Sequence, residues 1–569
     1  MTHPGEQFYP EGVRWDAPIA RGTLPDLLSR AAADYGSRPA IEFRDRPISF
    51  VELEAMVEVA ASAFLRAGCG RDTSVALFLG NSPDHPTNFF GTLKAGARVV
   101  HLSPLDGERA LSHKLSDSGA RILVTSNLAA LLPTALKFLD KGLLDRLVVC
   151  EDDHWGAVGN PHTPIPDHPA IVTFAEFVKG AMPPAQWPSV SPDDVALLQY
   201  TGGTTGLPKG AMLSHGNLTS AVSIYDVWGA KARAERNAIE RVICVLPLFH
   251  IYALTVILLR CIKCGDLISM HQRFDVAAVL RDIEQKRATV FPGVPTMWIA
   301  LANDPTLESR DLSSLVSCGS GGAPLPVEVA KIFERKTKMK LKSGWGMTET
   351  CSPGTSHPVE GPDKPGSIGL MLPGIEMDVV ALDDPRKTLP PGEVGEIRIK
   401  GPNVTRGYWN RPAETAEAFV GDRFLTGDIG TMDKDGYFYL VDRKKDMIIS
   451  GGFNVYPQMI EQAIYEHPAV QEVIVIGIAD EYRGEAAKAF VKLKTGADPF
   501  TLDELRAFLT GKLGKHELPA ALDFVDELPR TAVGKLSRHE LRIQQSSQQS
   551  SQQPTHQPKQ QQLATGGRP

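Results

Sequence analysis

Tyr200-Thr201-Gly202-Gly203-Thr204-Thr205-Gly206-Leu207-Pro208-Lys209-Gly210 carries the densest chemical information in this chain. Its glycines put little steric limit on the backbone, so consecutive N–H groups can turn inward around an anion, and the threonine hydroxyls add donors. Lys209 supplies a matching positive charge. The spacing is not that of a P-loop, which needs glycine where Pro208 stands and serine or threonine where Gly210 stands. Taken alone, such a turn reads either as a phosphate nest or as an ordinary loop.

Outward from this segment, from Gly22 to about Arg443, helices and strands alternate. Residues 24–35 have the spacing of an amphipathic helix, 40–43 of a short strand, and 50–68 of a second helix leading into the apolar strand 74–79. The alternation continues through 122–125, 147–150 and 243–246, which predicts α/β layers with largely parallel sheets. Near Gly392 it gives way to short strands with turn residues, and Asp435-Gly436 marks a hairpin. Beyond Asp442-Arg443-Lys444-Lys445, helical patterns at 457–466 and 501–513 flank an apolar strand at 470–478, a small α+β unit of about one hundred residues. From Gln544 to Pro569 glutamine and serine dominate, and such a segment is expected to stay disordered because it has little apolar surface to bury.

A chain of 569 residues exceeds what one hydrophobic core organises, so two or more domains are expected. With 42% hydrophobic and 22% charged residues it has the composition of a globular protein, and a net charge of −7 counts against a dedicated nucleic-acid binder. The longest apolar run, 251–259, ends at Arg260 and is too short to span a bilayer. Residues 1–12 are polar, without a signal-peptide core, so a cytoplasmic location is expected. The seven cysteines are scattered, as suits a reducing compartment; the Cys261/Cys264 pair has only His271 nearby and reads as buried thiols.

Further motifs follow in order. They are Gly321-Gly322-Ala323-Pro324-Leu325, Gly344-Trp345-Gly346-Met347-Thr348-Glu349, Thr426-Gly427-Asp428, Arg443, and Pro529-Arg530-Thr531-Ala532-Val533-Gly534-Lys535. Singly, Asp428 could cap a turn, Glu349 could be a solvated helix residue and Lys535 a surface lysine. Jointly with the segment at 200–210, they resemble the signatures of the AMP-forming acyl-CoA synthetases and their adenylating relatives, over about residues 22–543.

That resemblance implies ATP, Mg²⁺ and coenzyme A as the small molecules handled. Thr201, Gly202, Gly203, Thr204, Thr205, Gly206 and Lys209 would cradle the phosphates. Gly322, Ala323 and Pro324 would form the adenine turn, with Gly344, Trp345, Gly346 and Met347 beside it. Thr348 would touch the α-phosphate, Glu349 and Thr204 would hold Mg²⁺, Asp428 would accept from both ribose hydroxyls, and Arg443 would add a ribose contact. Lys535 is the match for the catalytic lysine. In the family a carboxylate attacks the α-phosphate to give acyl-AMP and pyrophosphate, and the CoA thiol then displaces AMP, so no protein nucleophile is needed. The small domain rotates between these steps. The matching hinge is Lys445, and Gly451, Gly452 and Phe453 belong to the loop that would line the pantetheine tunnel. Gly202 stands where the family often has serine, and Met459 where it usually has glutamate, with Glu461 kept.

The segments 247–254 and 291–298 resemble walls of the acyl pocket. They bring Tyr252, Val294 and Trp298 to it, with Gly319, Gly321 and Cys351 as small neighbours. His250 would lie near the bound carboxylate, or else be a satisfied core histidine. An apolar lining suits a medium- or long-chain fatty acid. No arginine or lysine is legibly placed for a second carboxylate, although a pimelate-like dicarboxylate stays open, as does a ligase that hands its fatty acyl-AMP to a carrier protein. The expected α/β architecture is a large N-terminal domain, 1–442, of layered subdomains plus a small β-barrel-like one. A hinge at 443–445, a mobile α+β domain at 446–543 and the tail 544–569 would complete it. Expected partners are the acid, ATP and CoA, with no nucleic acid, a transient contact with a membrane surface, and an acetyltransferase and deacetylase acting on Lys535, whose charge acetylation would remove. Both a monomer and a homodimer remain open.

Overall fold

The computed structural model describes residues 3–201, 207–236, 238–358, 360–362, 364–531 and 534–551, with side chains up to 545. The expected alternation is present. Thr23 accepts from the Asp26 N–H at the start of helix Leu24–Tyr35, and a reciprocal Ser49/Glu52 capping box opens helix Phe50–Arg66. Strand Ser74–Phe78 is buried along its whole length, as a parallel strand covered on both faces should be.

Three sheets result. The first has seven strands in the order Ile171–Thr173, Arg146–Cys150, Ile122–Ser126, Ser74–Phe78, Arg98–His101, Val195–Thr201 and Lys209–Ser214; all neighbours are parallel except the last pair. Period-two alternation divides its side chains between two cores: Val75, Leu77 and Val99 point to one, Ala76, Phe78 and Val100 to the other. The second sheet is mixed. Its parallel part includes Arg241–Cys244, Val290–Gly293, Ser317–Ser320 and Leu341–Trp345. The short strand Thr355–Ser356 then carries it into an antiparallel part containing Ser367–Met371, Tyr437–Arg443, Arg423–Met432, Gly395–Lys400 and Glu376–Val380. The strands expected to form a small barrel-like unit are thus hydrogen-bonded continuously to the central sheet.

The third sheet lies wholly beyond residue 445, with Ile448–Ser450, Phe453–Val455, Gly484–Leu493, Val470–Asp480 and Ala521–Phe524. Among the described residues no hydrophobic cluster straddles 443–445: three contain only earlier residues and two only later ones. The second helix of this small unit is shorter than the 501–513 pattern predicts and stops at Leu509. Helix Arg538–Ser551 runs eight residues into the segment expected to lack order, because Leu541 anchors its first turn in the small unit's core. The rest of the tail lies outside the described residues.

All seven cysteines are free, and burial pushes the thiols of Cys69 and Cys264 up to about 11 and about 12. Among the described residues no helix is long and apolar enough to cross a membrane.

Candidate active site

Parallel strands deliver their C-terminal ends to one edge, where open α/β sheets hold their ligands. Here Val290–Gly293, Ser317–Ser320 and Leu341–Trp345 are consecutive neighbours, so Val294–Thr296, Gly321–Pro324 and Gly346–Glu349 emerge side by side. The antiparallel part supplies the ribose candidates: Asp428 and Arg443 are register partners. These segments face a cleft of about 3050 Å³ that the small unit closes from the other side.

Asp428 is buried, and its Oδ2 accepts from Trp345 Nε1 at 2.7 Å. Arg443 Nε lies 3.0 Å from Oδ1 without hydrogen-bond alignment, leaving that oxygen an orphan acceptor inside the protein. A carboxylate so arranged keeps capacity for a ligand's hydroxyl groups. Glu349 is buried too. Tyr408 Oη donates to its Oε1 at 2.9 Å, and Thr405 N–H donates to its backbone carbonyl at 2.7 Å. Burial pushes its carboxyl pKa up, with the Tyr408 bond opposing. Among the described residues no ammonium or guanidinium bonds to Glu349, and such an oxygen donor fits a hard divalent cation such as Mg²⁺. The backbone after Glu349 passes through left-handed geometry at Cys351 (φ 52°) and Ser352 (φ 95°), held by Asn403 Nδ2, which donates to the carbonyls of Thr350 and Pro353 at 2.7 and 2.8 Å. Non-glycine residues hold such angles only where their surroundings enforce them.

Lys535 reaches this cleft from the small unit. Its ammonium lies over Gly322 so closely that a Cβ there would stand 2.7 Å from Lys535 Cε and 3.0 Å from Nζ. Gly322 also holds φ at 80°, a backbone angle that favours glycine. Burial, then the Arg443 charge, lower the lysine pKa to about 8, while Asp428 opposes. Lys209 lies over the Tyr408 ring, 5.4 Å from its centroid. Thr201 borders the cleft, whereas Gly202, Gly203, Thr204, Thr205 and Gly206 lie outside the described residues.

His250 also borders the cleft. Its Nδ1 accepts from the Tyr252 N–H at 3.2 Å, capping the helix that follows and leaving the ring proton on Nε2. Burial and the Lys535 charge push its pKa down to about 3, so it is neutral and a donor at physiological pH. Tyr252 lies flat against Gly321, where a Cβ would meet its ring at 2.9 Å. Gly319 borders the cleft as expected.

Three expected acyl-pocket residues do not border it. Trp298 is fully buried between Phe291 and Phe333, with ring centroids 4.9 and 5.2 Å away, because helix Pro295–Asn303 turns that face to the core. Val294 and Cys351 are likewise buried behind the surface. The cleft instead extends along one face of helix His215–Arg236 through Tyr225, Trp228, Gly229 and Ala232, and Val256 and Ile299 also line it. Arg236 and Arg260, unanticipated from the sequence, also border it. Both are matched by Glu240, which forms an ion pair with Arg236 and lies 3.5 Å from Arg260.

The hinge candidate Lys445 is exposed at a turn closed by Asp446 and Met447 N–H bonds to the Arg443 carbonyl. Gly451, Gly452 and Phe453 form a hairpin tip away from the cleft, with Phe453 59% exposed. Sequence reasoning missed Tyr408, Asn403 and Arg538. The last bridges Asp442 and Glu461, at 2.9 and 2.5 Å, across the junction of the two units.

The AMP-binding enzyme family matches residues 28–409, and the family's C-terminal domain matches 459–535. A long-chain-fatty-acid–CoA ligase of Bacillus subtilis is 38% identical, covering 92% of this chain and 95% of its own. A feruloyl-CoA synthase of an Amycolatopsis species is 36% identical over 88% of this chain and 95% of its own. Among solved structures, ATP-bound MatB from Rhodopseudomonas palustris superposes with a TM-score of 0.81 at 30% identity, covering 91% of this chain and 98% of MatB.

Proposed function

This chain belongs to the AMP-binding enzyme family, and on that footing we propose which residues perform its ligation and which acid it takes. The enzyme is an AMP-forming acid–CoA ligase that uses MgATP and coenzyme A. A carboxylate resists attack by a thiol because resonance and charge both oppose it; transfer to AMP removes the charge and provides a leaving group. The protein's task is to align two anions and to stabilise the extra charge that develops between them.

The seating of Lys535 carries the assignment. A small-unit lysine lies in the large unit's cleft over Gly322, with Asp428 and Glu349 facing the same space. In this arrangement Lys535 holds the developing charge on the α-phosphate with Thr348, and the backbone at 201–206 with Lys209 holds the leaving pyrophosphate. Asp428 and Arg443 fix the ribose, and Gly322–Pro324 with Gly344–Met347 enclose the base. Glu349 and Thr204 would hold Mg²⁺, which when bound would neutralise phosphate charge. The neutral His250 donates from Nε2 to the acid's carboxylate. For the second step, rotation about 443–445 withdraws Lys535 and brings Gly451, Gly452 and Phe453 to the pantetheine, so domains 1–442 and 446–543 move as units.

The acid is a medium- or long-chain fatty acid, supported by the apolar helix face from Tyr225 to Ala232 and by the Bacillus relative. Tyr225 to Arg236 spans about 16 Å along the helix, enough for an extended chain. Arg260 on the cleft lining favours a dicarboxylate as the second reading, although Glu240 already offsets its charge. We place the enzyme in the cytoplasm, with reversible acetylation of Lys535 as its switch.

Pyrophosphate exchange across monocarboxylic and dicarboxylic acids of graded length, with and without CoA, tests substrate and acceptor together. Long monocarboxylic acids should dominate, with acyl-CoA formed on adding CoA. Stoichiometric ADP would overturn the nucleotide assignments, and preference for a dicarboxylate would select Arg260 as its anchor. Lys535→Ala should slow adenylation on the order of 100- to 1,000-fold while sparing attack of CoA on preformed acyl-adenylate.

A further inference from the structure

We infer that Thr296 is a positioning residue for the first half-reaction, a latch by which the large domain holds the loop carrying Lys535. The inference rests on the assignment of Lys535 above. Thr296 stands in the first turn of helix Pro295–Asn303 and borders the cleft. Its hydroxyl donates to the Gly534 carbonyl at 2.9 Å, across 238 residues of sequence and between the two units.

That carbonyl belongs to the residue just before Lys535. On the small unit's side the loop is already shaped: Gly534 N–H donates to the Thr531 carbonyl at 2.8 Å, Thr531 N–H donates to the Lys535 carbonyl, and Lys535 N–H reaches Thr531 Oγ1 at 3.2 Å. Arg530 Nη1 approaches the same Gly534 oxygen at 3.4 Å, and Arg530 is held by both oxygens of buried Glu472 at 2.6 and 2.8 Å. One lone pair of the carbonyl thus faces its own domain and the other faces Thr296. The internal contacts can persist when the small unit rotates; the Thr296 bond cannot.

The consequence is directional. A carbonyl oxygen fixed one residue from Lys535 limits where the ammonium can stand over Gly322, so the bond acts on adenylation through Lys535. It contributes nothing to thioester formation, from which the lysine is withdrawn. A serine keeps the hydroxyl, and valine keeps the shape without it.

The test is a pair of half-reaction assays on Thr296→Val and Thr296→Ser, with and without Lys535→Ala. Thr296→Val should slow adenylation about fivefold to tenfold, as expected for one lost neutral hydrogen bond. It should leave attack of CoA on isolated acyl-adenylate unchanged or faster, and Thr296→Ser should restore adenylation. On the Lys535→Ala background Thr296→Val should have no further effect, because the two act as one unit. Equal loss in both half-reactions, or full additivity with Lys535→Ala, would overturn the latch. Normal adenylation by Lys535→Ala alone would instead remove the assignment of the lysine. Melting temperatures of all variants separate misfolding from either outcome, and Thr296→Ser remains informative if the valine variant fails to fold.

Discussion

Lys535 carries its ammonium into a partly closed cleft beside the Arg443 guanidinium, and both surroundings favour the neutral amine. Its pKa of about 8 in the free enzyme puts titration within reach of assay, where an ordinary lysine would stay charged. On the proposed role the proton is what stabilises the transition state, so the sign is fixed: kcat/KM for ATP in adenylation should fall as pH rises through about 8, following one group, while the CoA step should show no such break. Bound phosphates favour the ammonium, so the break in kcat should lie higher. A pH profile of each half-reaction checks this, and an adenylation profile flat through that range would remove Lys535 from the chemistry. The sequence pointed to Asp428, Glu349 and Lys535 because each sits in a contiguous motif, and the structure sets all three on one cleft. Thr296 and Tyr408 were not legible in the sequence: each is one hydroxyl in an unremarkable segment, given a role only when the fold sets it opposite Gly534 or Glu349.

At the scale of elements, strands buried on both faces announce themselves as short apolar runs, so 74–79, 122–125 and 147–150 could be read almost to the residue. Trp298 shows where such reading fails. Its segment was placed at the pocket, but which face of a nine-residue helix meets the cleft depends on packing against Phe333, some thirty-five residues away in sequence. Ion clusters are equally illegible, since their members come from separate elements. Arg538 opens the last described helix, and its guanidinium meets Asp442 at the end of one strand, Glu461 on another helix, and Asp446, 3.5 Å away, just after the hinge. Asp442 is fully buried, so removing the arginine leaves its charge uncompensated. Arg538→Met should destabilise the small unit by about 3–5 kcal/mol, the usual cost of breaking one side of a buried ion pair. Chemical denaturation checks this; a loss below about 1 kcal/mol would mean that water reaches the cluster.

On the scale of the whole molecule, the two units share polar contacts and, among the described residues, no common hydrophobic cluster. The bonds that cross include Thr296 to Gly534, the Gln458 N–H to Asp442 at 2.7 Å, and Arg538 to Asp442, while the apolar clusters stay on their own sides of 443–445. Hydrogen bonds between units can be exchanged for bonds to water at modest cost. The turn after Asp442, where Lys445 is exposed, is the place proposed for the rotation between the two steps. Lys445→Pro would fix φ near −65° there and restrict Lys444 before it. Adenylation should proceed nearly unchanged, because the conformation with Lys535 over Gly322 is already formed. Thioester formation should fall roughly tenfold or more, because the change that withdraws the lysine is blocked. Acyl-adenylate should therefore accumulate on the variant in the presence of CoA, which rapid quenching and chromatography would detect. If both half-reactions fall together the turn is structural, and if neither falls the rotation occurs elsewhere along the chain.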